Sequence, residues 1–131
     1  MKLVLDADVV IDYLRRGNQS VYVSIFTDLH EVVMSMVTVA EVFSGQSAQK
    51  GQKQGQKLIK LLEGLEIKIP SVETARFVGG LRSEYKLSLG DGFVAALALE
   101  LNLPLLTLNV NDFKIVKGLK FFSVDTKRKS N

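Results

Sequence analysis

Short apolar runs recur along this chain at intervals too long for hairpin turns. Residues 2 to 5, Val32 to Met34, Ile67 to Ile69, Pro104 to Thr107 and Lys120 to Ser123 each read as a short strand. Apolar residues at helical spacing fill the stretches between them. Antiparallel strands need only a tight turn, whereas parallel strands need a crossover of about a dozen residues, usually a helix. The pattern therefore predicts the order β-αα-β-αα-β-αα-β-α-β. That is an α/β fold, a three-layer α/β/α sandwich around a mainly parallel, five-stranded sheet.

The helical segments have recognisable limits. Val9, Val10, Tyr13 and Leu14 share a face before the breaker pair Gly17-Asn18, and Val21, Ile25, Phe26 and Leu29 repeat the pattern. A third helix is expected from Thr38 to Phe43, then a Gln/Gly/Lys-rich stretch over 44–57, then a helix striped by Leu58, Leu61, Leu62 and Leu65. Ser71 is a natural N-cap for a helix carrying Phe77, Val78, Leu81 and Tyr85. The segment from Asp91 to Asn102 is apolar nearly all round, which predicts a buried helix. The 131 residues suit one domain over 1–131, with a basic tail at about 126–131.

Composition narrows the chemistry. With no cysteine there is no disulfide scaffold, thiolate zinc site or cysteine nucleophile. No apolar run reaches the ~18 residues of a membrane span, so a soluble, cytoplasmic protein is expected. Net charge is +3, but Lys127, Arg128, Lys129, Lys50, Lys53, Lys57 and Lys60 carry seven positive charges in two acid-free stretches, which leaves the remainder at −4. Basic appendages on an acidic body suit a polyanionic ligand, although ordinary solvated lysines look the same. His30, the only histidine, is expected at a helix end in a structural role, which removes histidine-based general catalysis.

The acids point to one edge. In an open parallel sheet, ligands bind at the carboxyl ends of the strands. Asp6 ends strand one, Glu41 lies early in the helix after strand two, Asp91 heads the buried helix, and Asn109 and Asp112 follow strand four. Two carboxylates ~5 Å apart repel by ~3 kcal/mol at an effective dielectric near 20, so such a group calls for a hard cation, Mg²⁺ or Mn²⁺. Competing structural roles stay open. Thr38-Val-Ala-Glu41 matches a capping box, Asp91 an N-cap and Asp112 a turn residue. Asp8 is the expected N-cap of the first helix, with possible reach to a cation through water, and Asp12 is spaced to pair with Arg15 or Arg16.

Four stretches together resemble the PIN-domain ribonucleases, in particular the VapC-type toxins of toxin–antitoxin pairs. Leu3-Val-Leu-Asp6-Ala-Asp8-Val-Val-Ile-Asp12-Tyr-Leu is similar to the family's opening strand and first acid, with Asp8 where Asn or Ser is commoner. Ser35-Met-Val-Thr38-Val-Ala-Glu41-Val resembles the second motif and Leu89-Gly-Asp91-Gly-Phe-Val-Ala-Ala-Leu-Ala the third. Leu105-Leu-Thr107-Leu-Asn109-Val-Asn-Asp112-Phe113 resembles the fourth, whose acid varies in position; Asn109 stands where some members carry it.

The resemblance implies a metal-dependent ribonuclease, a hydrolase and endonuclease acting as a toxin, with Asp6, Glu41, Asp91 and Asp112 as metal-binding and catalytic residues and Mg²⁺ or Mn²⁺ as cofactor. Thr38 is a candidate for orienting water, and Asn109 for holding water or substrate. Arg15, Arg16, Arg82, Lys86 and Lys114 flank the acidic segments and are candidate RNA phosphate contacts. The expected partners are RNA, a small antitoxin laying apolar side chains in a groove, with Val21, Ile25 and Phe26 as candidate contacts, and a second copy in a homodimer.

Two other readings compete. Asp6-Ala-Asp8-Val-Val also fits the D-x-D of a haloacid-dehalogenase-type phosphatase, with Asp6 as nucleophile and Asp8 as general acid, but that leaves Glu41 without a role. A PIN-like module that binds nucleic acid or protein without catalysis is the other.

Overall fold

The computed structural model describes residues 2–27, 31–45 and 52–124. His30, Leu29, Lys50 and the basic tail at 126–131 lie outside the described residues. The elements are β1 (Lys2–Leu5), α1 (Ala7–Arg16), a 3-10 turn (Gly17–Gln19), α2 (Val23–Thr27), β2 (Glu31–Ser35) and α3 (Met36–Phe43). After them come α4 (Gln52–Leu62), β3 (Glu66–Lys68), α5 (Val72–Tyr85), α6 (Leu89–Leu101), β4 (Leu105–Leu106) and α7 (Val110–Phe113). No described helix is long and apolar enough to cross a membrane.

The four strands lie in the order β3-β2-β1-β4, and every pairing is parallel. Val4 stands opposite Val33 on one side and Leu105 on the other, so β1 is buried at the centre of the sheet. Alternation along the strands builds two cores. Leu3, Leu5, Val32, Met34 and Leu106 face α1, α2, α3 and α4, while Val4, Val33 and Leu105 face α5, α6 and α7. This is the α/β sandwich expected of the apolar runs.

The expected fifth strand shrinks to a single parallel bridge between Phe121 and Leu105, with Leu105 N donating to Lys120 O at 2.9 Å and Phe122 N to Leu105 O at 2.8 Å. The reason lies in β4, which is two residues long because the chain after Leu106 turns toward α1 and bonds to it there. There is too little free edge for a ladder.

Helix starts differ from the sequence expectations in a consistent way. Asp6 rather than Asp8 is the N-cap of α1, Ser35 rather than Thr38 caps α3, and Ser88 rather than Asp91 caps α6. Each expected acidic or hydroxyl cap instead sits inside the first turns of its helix. Ser71 does cap α5, its Oγ accepting from Thr74 N at 3.1 Å. Helix α4 starts at Gln52, inside the Gln/Gly/Lys-rich stretch expected to precede it, because buried Leu58 anchors a helix that good helix formers extend backwards. Helix α6 is buried along most of its length, as its composition requires.

Steps from β1 to β2 to β3 run one way across the sheet, and β4 then returns to the far side of β1. The strand order therefore reverses between β1 and β4. A crevice at the carboxyl ends of these strands is the usual ligand site of such a sheet.

Candidate active site

Asp6 is the first residue past β1, and its backbone N donates to Leu106 O at 3.1 Å. Its side chain is 6% exposed, with Ala7 N donating to Oδ1 and the Thr107 hydroxyl to Oδ2, both at 2.8 Å. Burial raises its pKa above the ordinary aspartate value even though both hydrogen bonds oppose the rise. Thr107 thus belongs to the site, a role the sequence analysis did not assign. The only signal was a hydroxyl residue ending an apolar strand.

Asp8 is the second residue of α1, where its Oδ2 accepts from Leu108 N at 3.1 Å and Asn109 Nδ2 at 2.9 Å. Thr107 Oγ1 is 3.3 Å away, but its single proton already serves the shorter bond to Asp6. Burial, and then the neighbouring charge of Asp6, push the Asp8 carboxyl up to about 6. Asn109 precedes α7 without capping it through its side chain, because that amide is committed to Asp8.

Glu41 lies in the second turn of α3. The capping-box alternative falls away, since Ser35 Oγ accepts from Val37 N at 3.1 Å and Thr38 is the third residue of the helix. Much of Glu41 is exposed, yet partial desolvation, then Asp6 and then Asp91 raise its pKa. Its carboxylate lies against Gly90 so closely that a methyl group there would collide with it. Gly90 is a second residue the sequence analysis missed. A glycine in the first turn of a helix is unfavourable by propensity, and that was its only signal.

Asp91 is the third residue of α6, its backbone N donating to Ser88 Oγ at 3.1 Å. Burial raises its pKa first, Asp6 and Asp112 raise it further, and the Ser88 hydrogen bond opposes them. Asp112 is exposed on α7, a short helix held by Phe113, which has no exposed surface. The charge of Asp112 is the one from the β4 side that reaches Asp91. Asp6, Glu41, Asp91 and Asp112 are therefore linked in a chain of mutual repulsion across four segments.

Among the described residues, no three acidic side chains are gathered tightly enough to hold a metal ion as they stand. The donor chemistry nevertheless suits a hard divalent cation, because every candidate ligand is an oxygen and the Asp8, Glu41 and Asp91 carboxyls each have a pKa raised by burial and then by the neighbouring charge of Asp6. Asp8 Oδ1 and Thr38 Oγ1 are buried with no hydrogen-bond partner among the described residues. A buried oxygen without a donor is costly unless something else satisfies it. The residues fit such an ion in charge and in donor type.

The basic candidates divide. Arg82 donates from Nε to Leu87 O at 3.1 Å and packs beside Gly92, so it and Lys86 lie at the turn leading to Asp91. Lys114 follows α7 directly. Arg15 and Arg16 occupy the last turn of α1, roughly 14 Å of helix from the end that carries Asp6. Arg16 pairs there with Asp12 at 2.8 Å. Ile25 is buried and Phe26 stacks on Tyr13 with centroids 4.2 Å apart, which makes both mainly packing residues.

The model of the PIN domain family matches residues 3–119. No curated protein matches the sequence significantly. Among solved structures, a toxin–antitoxin complex from Klebsiella pneumoniae contains a chain 25% identical to this one, covering 89% of this chain and 94% of that one, with a TM-score of 0.73. A DNA-bound VapBC from Salmonella typhimurium gives 18% identity over 93% of this chain and 97% of that one, with a TM-score of 0.80. VapBC-1 from nontypeable Haemophilus influenzae gives 23% identity over 94% and 98%, with a TM-score of 0.74. At those last two identities the likeness establishes the fold alone.

Proposed function

Because this chain belongs to the PIN domain family, whose members are nucleases, we propose that it is a divalent-cation-dependent ribonuclease of the VapC type, the toxin of a toxin–antitoxin pair. One observation carries the reading. Acidic residues from four separate segments adjoin where the strand order reverses, Asp6 and Asp91 bearing on Glu41, and Asp6 and Asp112 on Asp91.

Asp6, Glu41, Asp91 and Asp112 would hold Mg²⁺ or Mn²⁺. When bound, such an ion supplies Lewis acidity toward water and toward a phosphodiester oxygen. The chain's own residues do the rest. Thr107 and the Ala7 amide fix the Asp6 carboxylate, Ser35 and Ser88 start the helices that deliver Glu41 and Asp91, and Phe113 seats Asp112. Arg82, Lys86 and Lys114 lie beside these segments and would draw phosphate toward a cluster that is otherwise repulsive to it.

The likeness to chains from toxin–antitoxin and VapBC complexes supports an antitoxin partner. A hollow of about 380 Å³ between α1 and α4, floored by Tyr13, Leu14 and Leu61 and flanked by Lys57 and Lys60, suits an apolar segment with acidic neighbours. Exposed Ile69 and Val72 beside β3 suit a contact between two copies.

The test is cleavage of RNA by purified protein with and without Mn²⁺. Wild-type cleavage should require the ion, and Asp6→Asn and Asp91→Asn should abolish it with an unchanged circular dichroism spectrum. Cleavage that persists in both variants defeats the proposal. RNA binding without cleavage by wild type in Mn²⁺ favours the non-catalytic module.

A further inference from the structure

The two carboxylate oxygens of Asp8 are treated differently by the fold. Oδ2 accepts from Leu108 N at 3.1 Å and Asn109 Nδ2 at 2.9 Å, while Oδ1 is buried and has no hydrogen-bond partner among the described residues. A carboxylate serving only to tie a loop would leave its idle oxygen in water or satisfy it, since unpaired buried acceptors are rare. Thr38 repeats the pattern from another direction. It has no exposed surface, its Oγ1 also lacks a partner among the described residues, and it lies one turn before Glu41 on the same face of α3. Two separate helices that carry site acids thus each bury an unpaired oxygen.

Resting on the ribonuclease reading, we infer that Asp8 is itself a cation ligand of this site, offering Oδ1, and that Asn109 is the neutral clamp that orients it rather than a ligand. The bonding pattern explains the division of labour. Asn109 and the Leu108 amide stabilise negative charge on Oδ2 and fix the carboxylate plane, so Oδ1 needs no search through rotamers. The charge stands on α1 and the neutral donor on the loop after β4. Reversing them, with Asn at 8 and Asp at 109, would keep a hydrogen bond between the two positions and the same total charge.

Calorimetric titration of the full chain with Mn²⁺ alone tests this, alongside melting temperatures without metal. In Asp8→Asn the side-chain carbonyl can keep the Leu108 and Asn109 bonds, so only the charge and the Oδ1 acceptor are lost. The Mn²⁺ dissociation constant should rise about tenfold or more while the metal-free melting temperature holds or increases. Adding Asn109→Asp to that variant should recover most of the affinity. Wild-type Mn²⁺ affinity in Asp8→Asn overturns the inference and leaves the ribonuclease reading standing. So does an exchange variant that melts like wild type and recovers nothing. Wild type that binds no Mn²⁺ overturns both.

Discussion

The Thr107 hydroxyl donates to Asp6 Oδ2 at 2.8 Å, a bond between residues 101 apart in sequence that joins the ends of β1 and β4. It holds the most buried acid of the site and sets where the chain leaves β4. Thr107→Val keeps the shape and removes the donor, which leaves a buried acceptor unpaired. The expected loss is about 1–3 kcal/mol of stability, with Thr107→Ser close to wild type. Denaturant melts of both variants check this, and equal losses in the two would show that packing matters rather than the hydroxyl.

Gly90 offers a cleaner separation of stability from function. An alanine in the first turn of α6 should favour the helix by up to ~1 kcal/mol, but its methyl group must displace the Glu41 carboxylate. Gly90→Ala should therefore melt at or above the wild-type temperature while Mn²⁺-dependent RNA cleavage drops about tenfold or more. Unchanged cleavage would remove Glu41 from the site.

Asp8 makes stability depend on pH. Its folded pKa of about 6 lies above the ordinary value of 3.8, so the folded state binds that proton more tightly than the unfolded state. Its contribution is full below pH 4 and is lost as pH rises through about 6. The raised Asp6, Glu41 and Asp91 act in the same direction. In EDTA, the melting temperature should fall between pH 5 and pH 7.5, less steeply in Asp8→Asn, and Mn²⁺ should reverse the fall. A flat profile in wild type would contradict the mutual repulsion described above.

Phe113 seats the short helix that carries Asp112. Phe113→Ala should cost about 3–5 kcal/mol by cavity formation. Phe113→Leu should cost less, yet still weaken Mn²⁺ binding by loosening α7. Calorimetry on the leucine variant decides, and wild-type affinity there would exclude Asp112 from the shell.

The strands, the two-sided core and the acidic edge were legible in the residues because they depend on local composition. Leu3 to Leu5 can hardly avoid a buried strand, and α6 carries too many apolar residues to lie at the surface. The candidate acids were readable for the same reason, as charges placed directly after such strands or early in helices.

The rest depended on partners that local sequence does not identify. Asp8, Thr38 and Asp91 all look like helix caps in sequence, yet Asp6, Ser35 and Ser88 do that work. A capping preference is satisfied by any suitable neighbour one to three residues away, so it cannot rank them. The fifth strand failed because β4 is cut short by contacts with α1.

Composition and periodicity by themselves determined that this chain forms a parallel sheet with its acids along one edge, because burial of apolar residues is set by the order of residue types. Only the tertiary structure decided that Thr107 serves Asp6, that Asn109 serves Asp8 and that Gly90 makes room for Glu41. Those pairings depend on the strand order β3-β2-β1-β4, which brings together segments that share no local signal.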